Sequence, residues 1–172
     1  MTADHGPQRI RWKGLRHITG TALAANPKQR PIKIEKGALG RGPVRDLFVS
    51  RQHRMLLQGP AVARHFGADA VFAPAIHLVG LPGVSEVQPA AGVTYLHILC
   101  DQHEVLFAEG AATESLYLGP TLLGDASSAE AAALWSELQR VWQGGTLARP
   151  IARPQAIRRF VARTRRAEPA LA

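Results

Sequence analysis

Two groups of side chains in this 172-residue chain are of types that do chemistry. In Ser50-Arg-Gln-His53 a hydroxyl stands three residues before an imidazole, at the end of a short apolar run. Acyl transfer needs a group that protonates or polarises a scissile amide, and a histidine positioned by a nearby hydroxyl supplies one. The same residues also describe a turn serine beside a hydrogen-bonded surface histidine, and spacing alone does not separate the two. Asp46 and Arg54 flank the pair and carry the charges that would raise and lower the histidine pKa, respectively. A carboxylate tying down a turn accounts for Asp46 equally well. The second group, His97, Cys100 and His103, consists of metal-ligand types. On a helix the three would share a face, but Val93–Cys100 is β-branched and aromatic, and on a strand Cys100 faces away from His97. No metal site is therefore expected. Cys100 has no basic neighbour in sequence to lower its pKa and reads as a small buried apolar residue, not a nucleophile. As the sole cysteine it also excludes an internal disulfide.

The elements that must position these groups are short strands cut by turns. Arg9–Trp12, Pro31–Glu35, Asp46–Ser50, Arg54–Leu57 and Ala75–Val79 read as strands, and Gly37, Gly40, Gly42, Pro43, Gly59-Pro60 and Gly80-Leu-Pro-Gly83 read as turns. Val93–Cys100 is expected to pair with His103–Ala108 around an Asp101-Gln102 tip, with Gly110 closing the return strand. After Pro120 the period changes. Ser127-Ser-Ala-Glu130 fits a capping box, and Ala131, Leu134, Trp135, Leu138, Val141 and Trp142 recur at helical spacing before Gly144-Gly145. Trp135 and Trp142 are expected to meet the core, as are Trp12 and Tyr117. Beyond Pro150 and Pro154, Ile157, Phe160, Val161 and Thr164 suggest a second helix, studded with arginines.

A hydrophobic fraction of 46% is enough for a packed core, while no apolar run reaches the length of a membrane span. The net charge of +8 is segregated: residues 1–54 carry +9, residues 55–145 carry −7 and residues 146–172 carry +6. Basic ends around an acidic middle are expected to satisfy one another. Aromatic side chains are not interleaved with the basic residues as a stacking platform would require, and a nucleic-acid partner is not expected.

Three stretches carry a resemblance: Arg45-Asp-Leu-Phe-Val-Ser-Arg-Gln-His-Arg-Met-Leu-Leu57, Pro74-Ala-Ile-His-Leu-Val79 and Tyr95 through Ser115. With Thr2–Gln8 and Ile10-Arg-Trp12 they resemble, in order and spacing, the bacterial branch of the Hedgehog/intein, or Hint, domain family, over about Thr2 to Gly119. The resemblance implies a mainly β, horseshoe-like fold of short strands, here with one or two C-terminal α-helices. It also implies self-processing without a cofactor. In complete members an N-terminal Cys or Ser attacks the preceding carbonyl, and a Thr-x-x-His motif assists at the scissile amide. Ser50 and His53 stand at the Thr and His positions of that motif, and His103 matches the histidine of the penultimate conserved block. The three are the catalytic candidates. Two departures stand beside the match. The family's nucleophile block would precede Thr2, and no cysteine occurs before residue 100. Where inteins end in His-Asn, Gly110 is followed by Ala-Ala-Thr-Glu114-Ser115, so asparagine cyclisation is not expected.

The resulting organisation is an N-terminally incomplete Hint-like β domain over 1–122, an amphipathic helix over 123–145 and an Arg-rich segment over 146–172. Its expected partner is the polypeptide flanking its own N-terminus, not a membrane. Two alternatives accompany an incomplete self-processing domain: a non-catalytic binding module whose basic ends hold an anion, and a fragment acting by complementation in trans. The opening residues lack the order of a secretory signal, which makes the cytoplasm the default compartment.

Overall fold

Apolar alternation and glycine turns divide the chain into short elements. The structure is a computed structural model that describes residues 1–40, 42–119, 129–142 and 144–167, leaving aside the side chains of Ala129, Glu130, Ala131, Ala132, Trp135 and Ala167. In chain order the strands are β1 (Trp12–Ile18), β2 (Ile32–Ile34), β3 (Leu47–Val49), β4 (Arg54–Gln58), β5 (Ala70–Pro74), β6 (Val84–Glu86), β7 (Val93–Leu99), β8 (Val105–Ala108) and β9 (Ala111–Glu114). The helices are α1 (Gly20–Ala25), α2 (Pro60–Phe66), α3 (Ala129–Val141) and α4 (Pro154–Ala167). The strands form antiparallel sheets in the orders β1-β7, β3-β2-β6 and β5-β4-β9-β8. The chain is therefore mainly β, as expected. No helix among the described residues is long and apolar enough to cross a membrane.

The continuous apolar run Met55-Leu-Leu57 sits where a strand is covered on both faces, in the middle of the largest sheet. Met55 and Leu57 join Ile32, Ile34, Ala73, Leu78 and Val84 in the main core, while Leu56 packs with Phe72 and Val105 on the other face. The C-terminal segment closes that core. Phe72 donates its N–H to Pro150 and accepts from Ala152, so residues 150–152 pair with the free edge of β5, and Ile157 and Val161 of α4 then enter the core cluster.

Several sequence expectations are corrected here. Val93–Cys100 does not pair with His103–Ala108; β7 pairs with β1 over seven residues, from Trp12↔Leu99 to Ile18↔Val93. β8 instead turns back on β9 through Glu109-Gly110, both at positive φ, the two-residue turn whose twist matches the flanking strands. The strand at Arg9–Trp12 begins only at Trp12 and continues to Ile18. Ala75–Val79 is not a strand, since Ala75–Leu78 forms a 3-10 turn that places Ala75 and Leu78 together on the buried side. Two short helices were not foreseen. α1 is capped by Thr19, whose Oγ1 accepts from Ala22 N, and α2 starts at Pro60 and stops at Gly67 in the left-handed conformation. The helix after Pro120 is present, with Leu138 buried and Trp142 packed near Leu99 and Leu118, but Leu134 is exposed. The capping box at 127–130 and the Trp135 side chain lie outside the described residues.

Candidate active site

The register between β4 and β9 pairs Met55 with Thr113 and so lays Thr113-Glu114 beside His53-Arg54. The turn before β4 is pinned from behind: Ala75 N donates to the His53 carbonyl and Ile76 N to that of Arg51. Ser50 closes the same turn through its backbone, its carbonyl accepting from His53 N at 3.1 Å. The Ser50 hydroxyl makes no hydrogen bond among the described residues. The hydroxyl that meets the imidazole belongs to Thr113, whose Oγ1 lies 2.5 Å from His53 Nε2.

Proton counting fixes the tautomer. Thr113 has a single hydroxyl hydrogen and donates it to the Arg54 carbonyl at 2.9 Å. Both contacts are satisfied together only when His53 Nε2 carries the hydrogen and donates to Thr113. Nδ1 is then the bare nitrogen, with no hydrogen-bond partner among the described residues. Burial holds the His53 pKa below the ordinary imidazole value; Glu114 opposes that shift, while His97 and Arg54 reinforce it. Asp46 plays no part in this balance. It accepts from Lys36 N and pairs with Lys33 on another sheet.

Glu114 ties the neighbourhood together. Its Oε1 accepts from Arg54 N at 2.9 Å and its Oε2 from the Arg54 guanidinium at 2.7 Å. His103 Nε2 lies 3.4 Å from the same Oε2. Burial alone would raise the Glu114 pKa, but His103, Arg54 and His53 together bring it below the ordinary carboxylate value. His103 is buried between the rings of Phe72 and Tyr117, and its Nδ1 accepts from Ala148 N–H at 3.1 Å. That acceptance leaves the His103 proton on Nε2, facing Glu114. Among the sequence candidates, His103 thus faces the Glu114 carboxylate directly, while His53 feels its charge from the neighbouring turn.

Cys100 is buried, and that burial, with Glu104 and Asp101, raises its pKa, so the thiol stays protonated. A separate pair lies at the N-terminus, where His5 Nδ1 is 3.0 Å from the buried Glu104 carboxylate and is kept more basic by it. Thr2 bridges Leu106 and Ala3 N donates to Val105, which docks the first residues on the outer edge of β8. Thr113, Glu114 and the Ala148 amide were missed by sequence reasoning. The available signal was a glutamate at the end of a half-buried strand, since an ionised group there must be paired.

A family model for the Hint domain matches residues 1–120. The chain belongs to the Hint family. Neither a curated protein nor a solved structure matches it. The elements that carry the site, from the Ser50 turn to β9, all lie within the matched part of this Hint domain, whereas Ala148 lies beyond it.

Proposed function

We propose that this Hint domain holds the proton-transfer half of a self-processing site, with the nucleophile contributed by polypeptide outside these 172 residues. The observation that carries this reading is the His53 ring, anchored at Nε2 by Thr113 and without a hydrogen-bond partner at Nδ1 among the described residues. In the reaction, a thiol or hydroxyl attacks the carbonyl that precedes it. A C–S or C–O bond forms, the amide C–N bond breaks, and the nucleophile's proton ends on the departing nitrogen. His53 Nδ1 takes that proton and delivers it to the nitrogen. A depressed pKa suits this role, because the imidazole rests neutral and its conjugate acid is strong. His103 and Ser50 act on position: His103 through Glu114, Ser50 by closing the turn that carries His53. Docking of Thr2 and Ala3 on β8 supports the reading, since polypeptide joined ahead of Thr2 would emerge on the sheet that bears the site.

The test is a fusion of a reporter protein, the in-frame genomic sequence ahead of Met1, and this chain. Thiol- or hydroxylamine-dependent release of the reporter on a gel is expected, and His53→Ala abolishes it. Release that survives His53→Ala removes His53 from the mechanism, and no release from the unmutated fusion overturns self-processing by a nucleophile encoded in cis. Mixing with a separately made segment bearing the nucleophile then distinguishes supply in trans.

A further inference from the structure

The ion pairs answer one question that charge segregation raised. Arginines of the N-terminal third meet acids of the middle: Arg11 with Asp101, Arg30 and Arg51 with Glu86, Arg45 with Glu109 and Arg54 with Glu114. Arg149 pairs with Asp4. The arginines of α4 take no part. Pro154–Ala167 contains Arg158, Arg159, Arg163, Arg165 and Arg166 and no acid, and all five are exposed without an ion pair among the described residues. Arg153, also exposed, stands just ahead of the helix.

We infer that the outer face of α4 is a binding surface for the phosphate backbone of duplex nucleic acid, through a row of arginines on each side of the helix. At about 100° per residue, Arg158 and Arg165 lie on one flank of the exposed arc, and Arg159, Arg163 and Arg166 lie on the other. Two cation rows around one helix suit two phosphate walls, and a helix about 10–12 Å across fits a major groove about 12 Å wide. A single acidic peptide would engage only one row. Guanidinium forks also favour bidentate contact with phosphate. A bilayer is disfavoured because the apolar side of α4 is already used: Ile157 and Val161 are buried, and Phe160 packs on His65 and Phe66. The lack of exposed aromatic residues in this arc counts against single strands, which are held by stacking, and leaves duplex binding untouched. Residues 150–152, paired to β5, and the buried Ile157 hold the surface rigidly to the domain. This inference is independent of the self-processing reading.

Fluorescence anisotropy with a labelled duplex of about 20 base pairs of random sequence tests it on the full chain. With four phosphate contacts, the affinity should fall with a log–log salt slope near −3.6, roughly 100-fold between 50 and 200 mM salt. The triple substitution Arg158→Gln, Arg159→Gln, Arg166→Gln should weaken binding at least tenfold and bring the slope toward −1, with unchanged circular dichroism and melting. The equal-charge control Arg9→Gln, Lys13→Gln, Arg16→Gln should retain most of the affinity. An equal loss in that control overturns the assignment to α4. Tighter binding to single-stranded dT20, to polyglutamate or to vesicles containing phosphatidylserine overturns the duplex assignment, as does absence of binding at 50 mM salt.

Discussion

His53 is held by one hydroxyl with one proton, so removing that hydroxyl strands two groups at once. Thr113→Val should leave His53 Nε2–H and the Arg54 carbonyl unpaired at nearly constant volume, costing about 1–3 kcal/mol in urea unfolding. Thr113→Ser should recover most of the loss; a valine variant as stable as the parent would show that the hydroxyl holds nothing. The pH response follows from the same ring. His53, with His77 and His97, is less basic folded than unfolded, each because burial disfavours its charged form. The unfolded chain therefore binds more protons below the ordinary value of 6.5, and stability present above that pH is lost as pH falls through the folded values. His53→Gln should flatten part of this slope in denaturation curves taken between pH 7.5 and 5. An unchanged slope would assign the effect to His77 and His97.

At the scale of elements, α4 and the strand before it cover the edge of β5 and complete the core. Ile157 is fully buried against that core. Ile157→Ala should cost about 2–5 kcal/mol through lost burial and the cavity left behind, read by chemical denaturation. A loss well under 1 kcal/mol would mean that the helix is an appendage. The same elements show how far sequence reading reached. The Ser50–His53 turn, β4 and the site histidines were legible because an apolar run, a polar stop and the chemistry-bearing residues lie together in the chain. The β7 partner was not legible. Two neighbouring runs looked like a hairpin, but the two-residue turn at Glu109-Gly110 gave β8 a closer partner and left β7 to pair with β1, about eighty residues away.

At the scale of the whole molecule, ion pairs divide by environment. Arg45 is exposed and pairs with Glu109 in water, so Arg45→Ala should leave Tm almost unchanged. Glu114 pairs with Arg54 and His103, and the charge of His53 also acts on it. Glu114→Ala should cost about 3–5 kcal/mol, because a partly buried guanidinium loses its counter-charge; a loss as small as that of Arg45→Ala would show that solvent replaces the carboxylate. Its depressed pKa adds a sign. The stability it contributes is present above the ordinary value of 4.5 and is lost as pH falls through its folded value.

Sequence alone determined the β-rich class, the family, and the residue types on which the self-processing reading rests. Those follow from local periodicity and from motif order, which survive without knowledge of contacts. Only the tertiary structure decided that Thr113 meets the His53 ring, that Glu114 joins Arg54 and His103, and that Ala148 reaches His103 from beyond the matched domain. Each of those contacts spans forty-five or more residues except the one between His103 and Glu114, and nothing in a linear pattern specifies which distant strand or amide will fill a given position. The charges followed the same rule: their sum and segregation were written in the chain, but which arginines would be spent on internal pairs, and which would be left facing water, depended on the fold.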